Sequence, residues 1–244
     1  TPAAWSHSSG WPLYKAGDPY NVSNYRILAL CACLSKTYEL ILLTRIRQTM
    51  SKSGNHLHAN QFGFTPRQST EDAIYSVDSI LRNRASKHQQ TFACFVDLKK
   101  AYPSCDKNLL FARLPEVGIS GHLWLAIHAL HFSTTASILT PQGETPSYPM
   151  NVGLKEGAAL SPTLWLIYID TLLSGAEERN LGISSCDLWA GIIAYADDLC
   201  LLANSENELN QLLALLGDWC HHWRMTPNQK KTHVVIFGPA PRIT

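Results

Sequence analysis

A chain of 244 residues with 45% hydrophobic and 16% charged side chains holds enough apolar material for one large domain or two small ones, which excludes a protein without a buried core. A formal net charge of +1 counts against a module whose whole surface grips nucleic acid; Lys99-Lys100, Lys230-Lys231 and the run Arg82, Arg84, Lys87 concentrate positive charge locally, and each reads as a solvated face before a contact site. No run reaches the ~18 apolar residues of a membrane span, and the opening Thr-Pro-Ala-Ala-Trp has neither the basic nor the apolar region of a secretion signal.

The first 24 residues, rich in Pro, Gly, Ser and Asn, read as loop with one strand around Trp11 to Tyr14. From Leu34 the positions Leu34, Tyr38, Ile41, Leu42 and Ile46 repeat at helical spacing, with Arg45 and Arg47 off the stripe. Gly54, Gly63 and Pro66 break that helix. Ser69 then caps a second one carrying Ala73, Ile74, Val77, Ile80 and Leu81, which runs out in the polar stretch Ser86 to Gln90. Phe92 to Val96 is an apolar run of strand length that delivers Asp97 at its C-terminal end.

After a loop closed by Tyr102-Pro103, Asp106 caps a helix through Leu109, Leu110 and Leu114, and Leu123 to Phe132 forms another, its neighbours His122, His128 and His131 belonging to surface or core. Ser137 to Thr140 and Tyr148 to Val152 flank a hairpin loop. Ser161 as N-cap and Pro162 at the first helical position start a helix that is apolar almost all round from Leu164 to Leu173 and therefore deeply buried. Ile192 to Ala194 and Leu199 to Ala203 form a tight hairpin with Asp197-Asp198 at its tip. Ser205 to Glu208 reads as a capping box opening a helix with Leu209, Leu212, Leu213, Leu216, Cys220 and Trp223 on one stripe, and Thr232 to Phe237 is a last strand before Gly238-Pro239. The order of helices, then mixed strands and helices, gives an α+β architecture.

Seven cysteines (Cys31, Cys33, Cys94, Cys105, Cys186, Cys200 and Cys220) are odd in number and lie largely in apolar runs, which points to free thiols in an intracellular, reducing compartment, with nucleus and cytoplasm left open. Zinc is the alternative, on Cys31-Ala-Cys33 or Cys220-His221-His222, but neither has the spacing of paired zinc ligands. Asp97 and Asp197-Asp198 stand about a hundred residues apart, at the ends of separate strands. Brought together, three such carboxylates would hold two Mg²⁺ ions roughly 3.5 to 4 Å apart, an arrangement suited to phosphoryl transfer. The alternative is turn chemistry at a hairpin tip.

Six blocks fall in one order: Gly17 to Arg26; Gln61-Phe-Gly-Phe64 followed by Ser69 to Ile74; Phe95-Val-Asp-Leu-Lys-Lys-Ala-Tyr102; Gly157-Ala-Ala-Leu-Ser-Pro162; Tyr195-Ala-Asp-Asp198; and Asn228-Gln-Lys-Lys-Thr232. Together they resemble the reverse transcriptases of non-LTR retrotransposons, from about Lys15 to Gly238. The resemblance implies the fingers and palm of a right-hand polymerase, an antiparallel palm sheet packed on helices, with the thumb missing. Residues 1–90 would form the fingers, 91–132 and 156–244 the palm, and 133–155 a fingers hairpin insertion.

It also implies roles residue by residue. Asp97, Asp197 and Asp198 would carry the metal, two magnesium ions with manganese as the alternative, Asp197 being the more direct ligand of the hairpin pair. Lys231 would protonate departing pyrophosphate, with Lys230 beside it leaving the register open by one. Arg26 and Lys15 would meet the incoming triphosphate, Tyr102 would gate against a 2′-hydroxyl or else pack in the core, and Glu156-Gly157 would lie at the nucleotide. The implied partners are an RNA template, a DNA primer, deoxynucleoside triphosphates and the remaining domains of a longer polyprotein, of which this chain without an initiator Met reads as a fragment.

Four positions depart from the family pattern: Arg26-Ile27-Leu28 for Arg-Pro-Ile, Ala101-Tyr102-Pro103 for Ala-Phe-Asp, Gly63 to Arg67 for Gly-Phe-Arg-Pro-Gly, and Glu156 for a glutamine. An extra carboxylate beside a triphosphate repels it unless protonated or paired, with Lys155 the partner nearest in sequence. Three readings follow: an RNA-directed DNA polymerase, a catalytically silent nucleic-acid-binding remnant, and another two-metal enzyme such as a nuclease.

Overall fold

Helices and strands are mixed along the described residues. In the computed structural model, which describes residues 2–185 and 188–238, the first half runs α1 (Ala3–Ser6), β1 (His7–Tyr14), β2 (Tyr25–Leu30), α2 (Cys33–Lys52), α3 (Thr70–Ser86), β3 (Thr91–Asp97), α4 (Ala101–Ser104), α5 (Lys107–Glu116) and α6 (Gly121–His131). The second half runs β4 (Thr134–Thr140), β5 (Gly143–Glu144), β6 (Tyr148–Met150), α7 (Ser161–Glu178), β7 (Ser184–Ser185), β8 (Leu188–Trp189), β9 (Ile192–Tyr195), β10 (Asp198–Ala203), α8 (Glu206–His222) and β11 (His233–Phe237). No helix among the described residues is long and apolar enough to cross a membrane.

By internal contact the chain divides into two units, Thr1–His56 with Tyr102–Trp165, and Leu57–Ala101 with Leu166–Thr244. The first holds a sheet of order β2-β1-β4-β5, with β6 also on β4; β1 runs antiparallel to β2 and parallel to β4. The strand expected around Trp11 to Tyr14 is present and longer, His7–Tyr14, preceded by a short helix, and a second strand follows the first 24 residues. Being central, β1 is held by ladders on both sides, so its Ser and Gly residues need little intrinsic strand preference.

The second unit is built on the sheet β11-β3-β10-β9, antiparallel throughout. Side chains alternate along a strand, so Ala93, Phe95 and Asp97 share one face of β3, matched by Leu202, Cys200 and Asp198 across the ladder. Ala93, Ile193, Cys200 and Leu202 pack there with Ala73 and Ile80 of α3, while α8 lies against β3 and β10. The capping serines of α3 and α8 behave as expected: Ser69 accepts from Asp72 N and Ser205 from Glu208 N. The Glu208 carboxylate closes no box on Ser205; it accepts from the Asn204 and Gly182 amides instead.

Two helices differ from their sequence reading for one shared reason. The buried side of α2 is Ser35, Glu39, Leu42, Ile46 and Met50, while Leu34 and Ile41 are 71% and 50% exposed. Ser161 does not cap α7: its hydroxyl is buried without a hydrogen-bond partner among the described residues, and the Glu39 carboxylate of α2 accepts from Leu160 N at 2.9 Å. Free amides at a helix start need an acceptor, and a buried glutamate supplies it, so the face of α2 that carries Glu39 is the buried one. The apolar run of α7 is buried as expected, from Leu164 through Ile169.

Contact also cuts the chain elsewhere than at the expected fingers and palm boundaries. Residues 57–90 pack in the second unit, because Ala73 and Ile80 find their apolar partners on the β3 sheet. Residues 102–132 pack in the first, where α6 lies against both α5 and α2. Six free cysteines are described, four of them buried; Cys186 lies outside the described residues. Burial raises the thiol pKa of Cys200 to about 12 and that of Cys220 to about 11.

Candidate active site

The hairpin closes through two residues. Tyr195 pairs with Asp198, leaving Ala196 and Asp197 as the tip, and Ala196 takes a positive φ of 58°. Such tight loops need a left-handed residue to match the twist of the flanking strands. The ladder between β10 and β3 sets Asp198 directly opposite Asp97. Two strand ends a hundred residues apart thus place two carboxylates side by side on one sheet face, with Asp197 one residue back in the turn. The resemblance makes Asp197 the more direct ligand of the hairpin pair; in the ladder, the place opposite Asp97 belongs to Asp198.

A third segment completes the group. Lys99 N donates to Thr226 O and Asn228 N to Asp97 O, both at 2.8 Å, so residues 226–228 lie along the end of β3. The 3-10 turn Gln229–Lys231 follows, and in such a turn residues three apart stand one above the other. Asn228 and Lys231 consequently reach the same carboxylate: Asn228 Nδ2 donates to Asp97 Oδ2 at 2.8 Å, and Lys231 Nζ to Asp97 Oδ1 at 3.0 Å. Of the two neighbouring lysines, both exposed, it is Lys231 that meets the Asp97 carboxylate. Burial first, then the negative charge of Asp97, raises the Asp198 pKa, against which Lys231 acts. A cavity of about 390 Å³ adjoins the acids, lined by Ile74, Val77, Phe95 and Tyr195 and reaching Asp97 and Asp198.

The sequence matches the family described as Reverse transcriptase (RNA-dependent DNA polymerase) over residues 14–240. The chain belongs to the reverse transcriptase family. It is 27% identical over 250 residues to a putative 115 kDa protein in a type-1 retrotransposable element of Drosophila melanogaster, covering 99% of this chain and 22% of that one. It is 25% identical over 233 residues to the Pol polyprotein of the type-1 retrotransposable element R2 of Popillia japonica (95% and 32%), and 23% identical over 231 residues to the RNA-directed DNA polymerase from mobile element jockey of Drosophila funebris (92% and 25%). All three come from retrotransposable or mobile elements, and this reverse transcriptase chain spans 22% to 32% of their length.

Its fold is that of telomerase reverse transcriptases. The apo telomerase of Candida tropicalis truncated from its C-terminal domain superposes with a TM-score of 0.70 at 13% identity, over 99% of this chain and 52% of that one. The telomerase of Candida albicans in complex with a fragment of telomeric RNA gives 0.66 at 14% identity, over 100% and 44%.

Among the described residues no three His, Cys, Asp or Glu side chains form a ready-made metal cage. The donor chemistry nevertheless fits a hard divalent cation. Mg²⁺ takes oxygen ligands, keeps several waters, and is typically held by one or two carboxylates together with substrate phosphates. Asp97 and Asp198 are such a pair, directly opposite each other on adjacent strands.

The expected nucleotide residues belong to the first unit. Arg26 lies on β2 and Lys15 just beyond β1, both exposed. The Glu156 carboxylate stands 3.7 Å from Arg26 Nε, and its backbone carbonyl accepts from Ala29 N at 2.7 Å. Lys155, the partner expected from sequence, is buried and directed elsewhere, donating to the Trp5 and Ser6 carbonyls at 3.2 and 3.3 Å. Burial raises the Glu156 pKa, opposed by Arg26 and Lys15. Gly157 has φ of 120°, and a Cβ there would sit 2.6 Å from Ala29 O. Tyr102 stacks on Trp165 with centroids 5.9 Å apart and has its hydroxyl buried, a packed setting. Sequence reasoning assigned no role to Asn228 or to Gln61, although both open quoted blocks. A polar residue three places before Lys231 was the available clue for Asn228.

Proposed function

We propose that this chain carries the polymerase centre of an RNA-directed DNA polymerase, adding deoxynucleotides to a primer 3′-hydroxyl on an RNA template. The observation that carries the reading is Asp198 opposite Asp97 on one sheet face, with Lys231 on the same carboxylate. Asp97 and Asp198, with Asp197 beside them, hold the divalent cations, magnesium or manganese. When bound, these ions supply activation of the primer hydroxyl and neutralisation of the leaving pyrophosphate. Lys231 is in place to hold a proton for the pyrophosphate once displaced from Asp97. Within the first unit, Arg26 and Lys15 present exposed positive charge suited to a triphosphate, while Gly157 packs against Ala29 O and Tyr102 against Trp165.

Primer extension on an RNA template with Mg²⁺ tests the reading. The parent chain extends and Asp97→Ala, Asp197→Ala or Asp198→Ala does not; extension equal in parent and variants overturns it.

A second reading, a silent nucleic-acid-binding remnant, draws on the Glu156 carboxylate beside Arg26. Salt-dependent primer–template binding without metal-dependent incorporation supports it. Extension by Glu156→Gln, where the parent has none, makes the silence a matter of that one residue.

A further inference from the structure

Gln61 is 2% exposed, and its side-chain amide is committed to backbone. Its Oε1 accepts from Ala196 N at 2.9 Å and Gly63 N at 3.0 Å, while Nε2 donates to Ala196 O at 3.4 Å. Ala196 is the left-handed residue at the tip of the acid-bearing hairpin, a conformation that glycine adopts freely and alanine does not. Gln61 therefore holds both backbone groups of the one strained residue preceding Asp197-Asp198. Its own backbone is anchored, since residues 60–62 run parallel to β9 through Phe62 N to Ala194 O at 2.8 Å and Ala194 N to Asn60 O at 2.9 Å. The approach is close: a Cβ on Gly63 would lie 2.3 Å from Ala196 N.

The geometry points to Gln61 as a positioning residue of the metal site, which holds Ala196 in its left-handed turn and so keeps Asp198 opposite Asp97. It acts on the acids through the turn and touches neither substrate nor cation. A pinned turn presents both acids in one arrangement; a loosened one spreads them over several, and cation affinity falls with the fraction correctly placed. The inference rests on the reading of these acids as cation ligands.

Gln61→Met conserves length and removes the amide. It is compared with the parent 244-residue chain in Mn²⁺ binding followed by the resonance of the free ion, in primer extension, and in thermal melting. Mn²⁺ affinity and extension rate are each expected to fall on the order of tenfold, the range for groups that orient metal ligands, while the nucleotide KM stays within about twofold. Adding Ala196→Gly, which supplies the turn conformation without the clamp, is expected to restore roughly threefold of that loss. Parental Mn²⁺ affinity in Gln61→Met overturns the inference, as does a double variant no better than the single one. Should Gln61→Met not melt cooperatively, Gln61→Asn, one methylene too short to reach both groups of Ala196, carries the same expectations. A parent that binds Mn²⁺ but extends no primer defeats the polymerase reading alone, and the Mn²⁺ comparison still decides the clamp.

Discussion

Lys231 Nζ rests 3.0 Å from Asp97 Oδ1, an oxygen that the proposed divalent cation would also take. On that reading ammonium and cation compete for one carboxylate. Lys231→Met is expected to tighten Mn²⁺ binding by removing the competitor, and to slow extension by about a hundredfold by removing the proton donor. Opposite directions in the two measurements distinguish this from simple loss of structure; an unchanged rate would show that Lys231 is only a counter-ion.

Asn228 holds the other oxygen of Asp97 by its side chain and the Asp97 carbonyl by its backbone amide. Asn228→Ala removes only the former. Groups that orient metal ligands are worth ~10–100-fold in affinity or activity, so Mn²⁺ affinity and extension rate should drop within that range. Parental values in both would leave Asn228 a structural residue.

The Glu156 carboxylate lies 3.7 Å from Arg26 Nε and, on the proposed reading, competes with a phosphate for that guanidinium. In Glu156→Gln the charge is removed and the backbone bond to Ala29 stays, so the nucleotide KM should fall by several-fold with little change in melting temperature, the Arg26 partner being largely solvent-exposed. A higher KM would mean that the pair positions Arg26 productively.

Glu39 closes the start of α7 from inside the first unit. Glu39→Ala leaves a buried amide without its acceptor and should cost about 1–3 kcal/mol in urea unfolding. Glu39→Gln retains an acceptor oxygen and should cost clearly less, and because burial raises the Glu39 pKa, it removes an ionised form that the fold disfavours. Equal losses would show that volume rather than the hydrogen bond matters there.

Lys107 is buried, its ammonium donating to Thr134 Oγ1 and to the Met150 carbonyl. Burial chiefly, then Lys155, lowers its pKa from 10.5 to about 8. Between those values the unfolded chain binds a proton that the folded chain has released, so this group adds stability as pH rises from about 8 toward 10.5 and loses that contribution as pH falls back through the folded value. Melting temperatures of the parent and Lys107→Met across this window should diverge in slope, the variant lacking the rise. Parallel slopes would exclude Lys107 as the source.

Local pattern made most elements legible. The tight tip between the apolar runs Ile192 to Ala194 and Leu199 to Ala203, the caps at Ser69 and Asp106, and the strand ending on Asp97 all depend on interactions within a few residues, which composition and periodicity report directly. The face of α2 was not legible. Leu42 and Ile46 fit both the apolar stripe and the buried side, and what chose between the two registers was Glu39 reaching an amide 121 residues away.

The same division holds at the site. By itself the sequence determined which acids and bases are available, their order along the chain, and through six blocks the reverse transcriptase family, because each block is a short run whose chemistry is carried by residue identity. Tertiary structure alone decided that Asp198 faces Asp97, that Lys231 rather than Lys230 meets it, that Arg26 rather than Lys155 lies beside Glu156, and that Gln61 holds the tip of the hairpin. Each is a contact between segments brought together by strand register and burial, and a one-residue slip in register would turn every side chain of a strand to the opposite face.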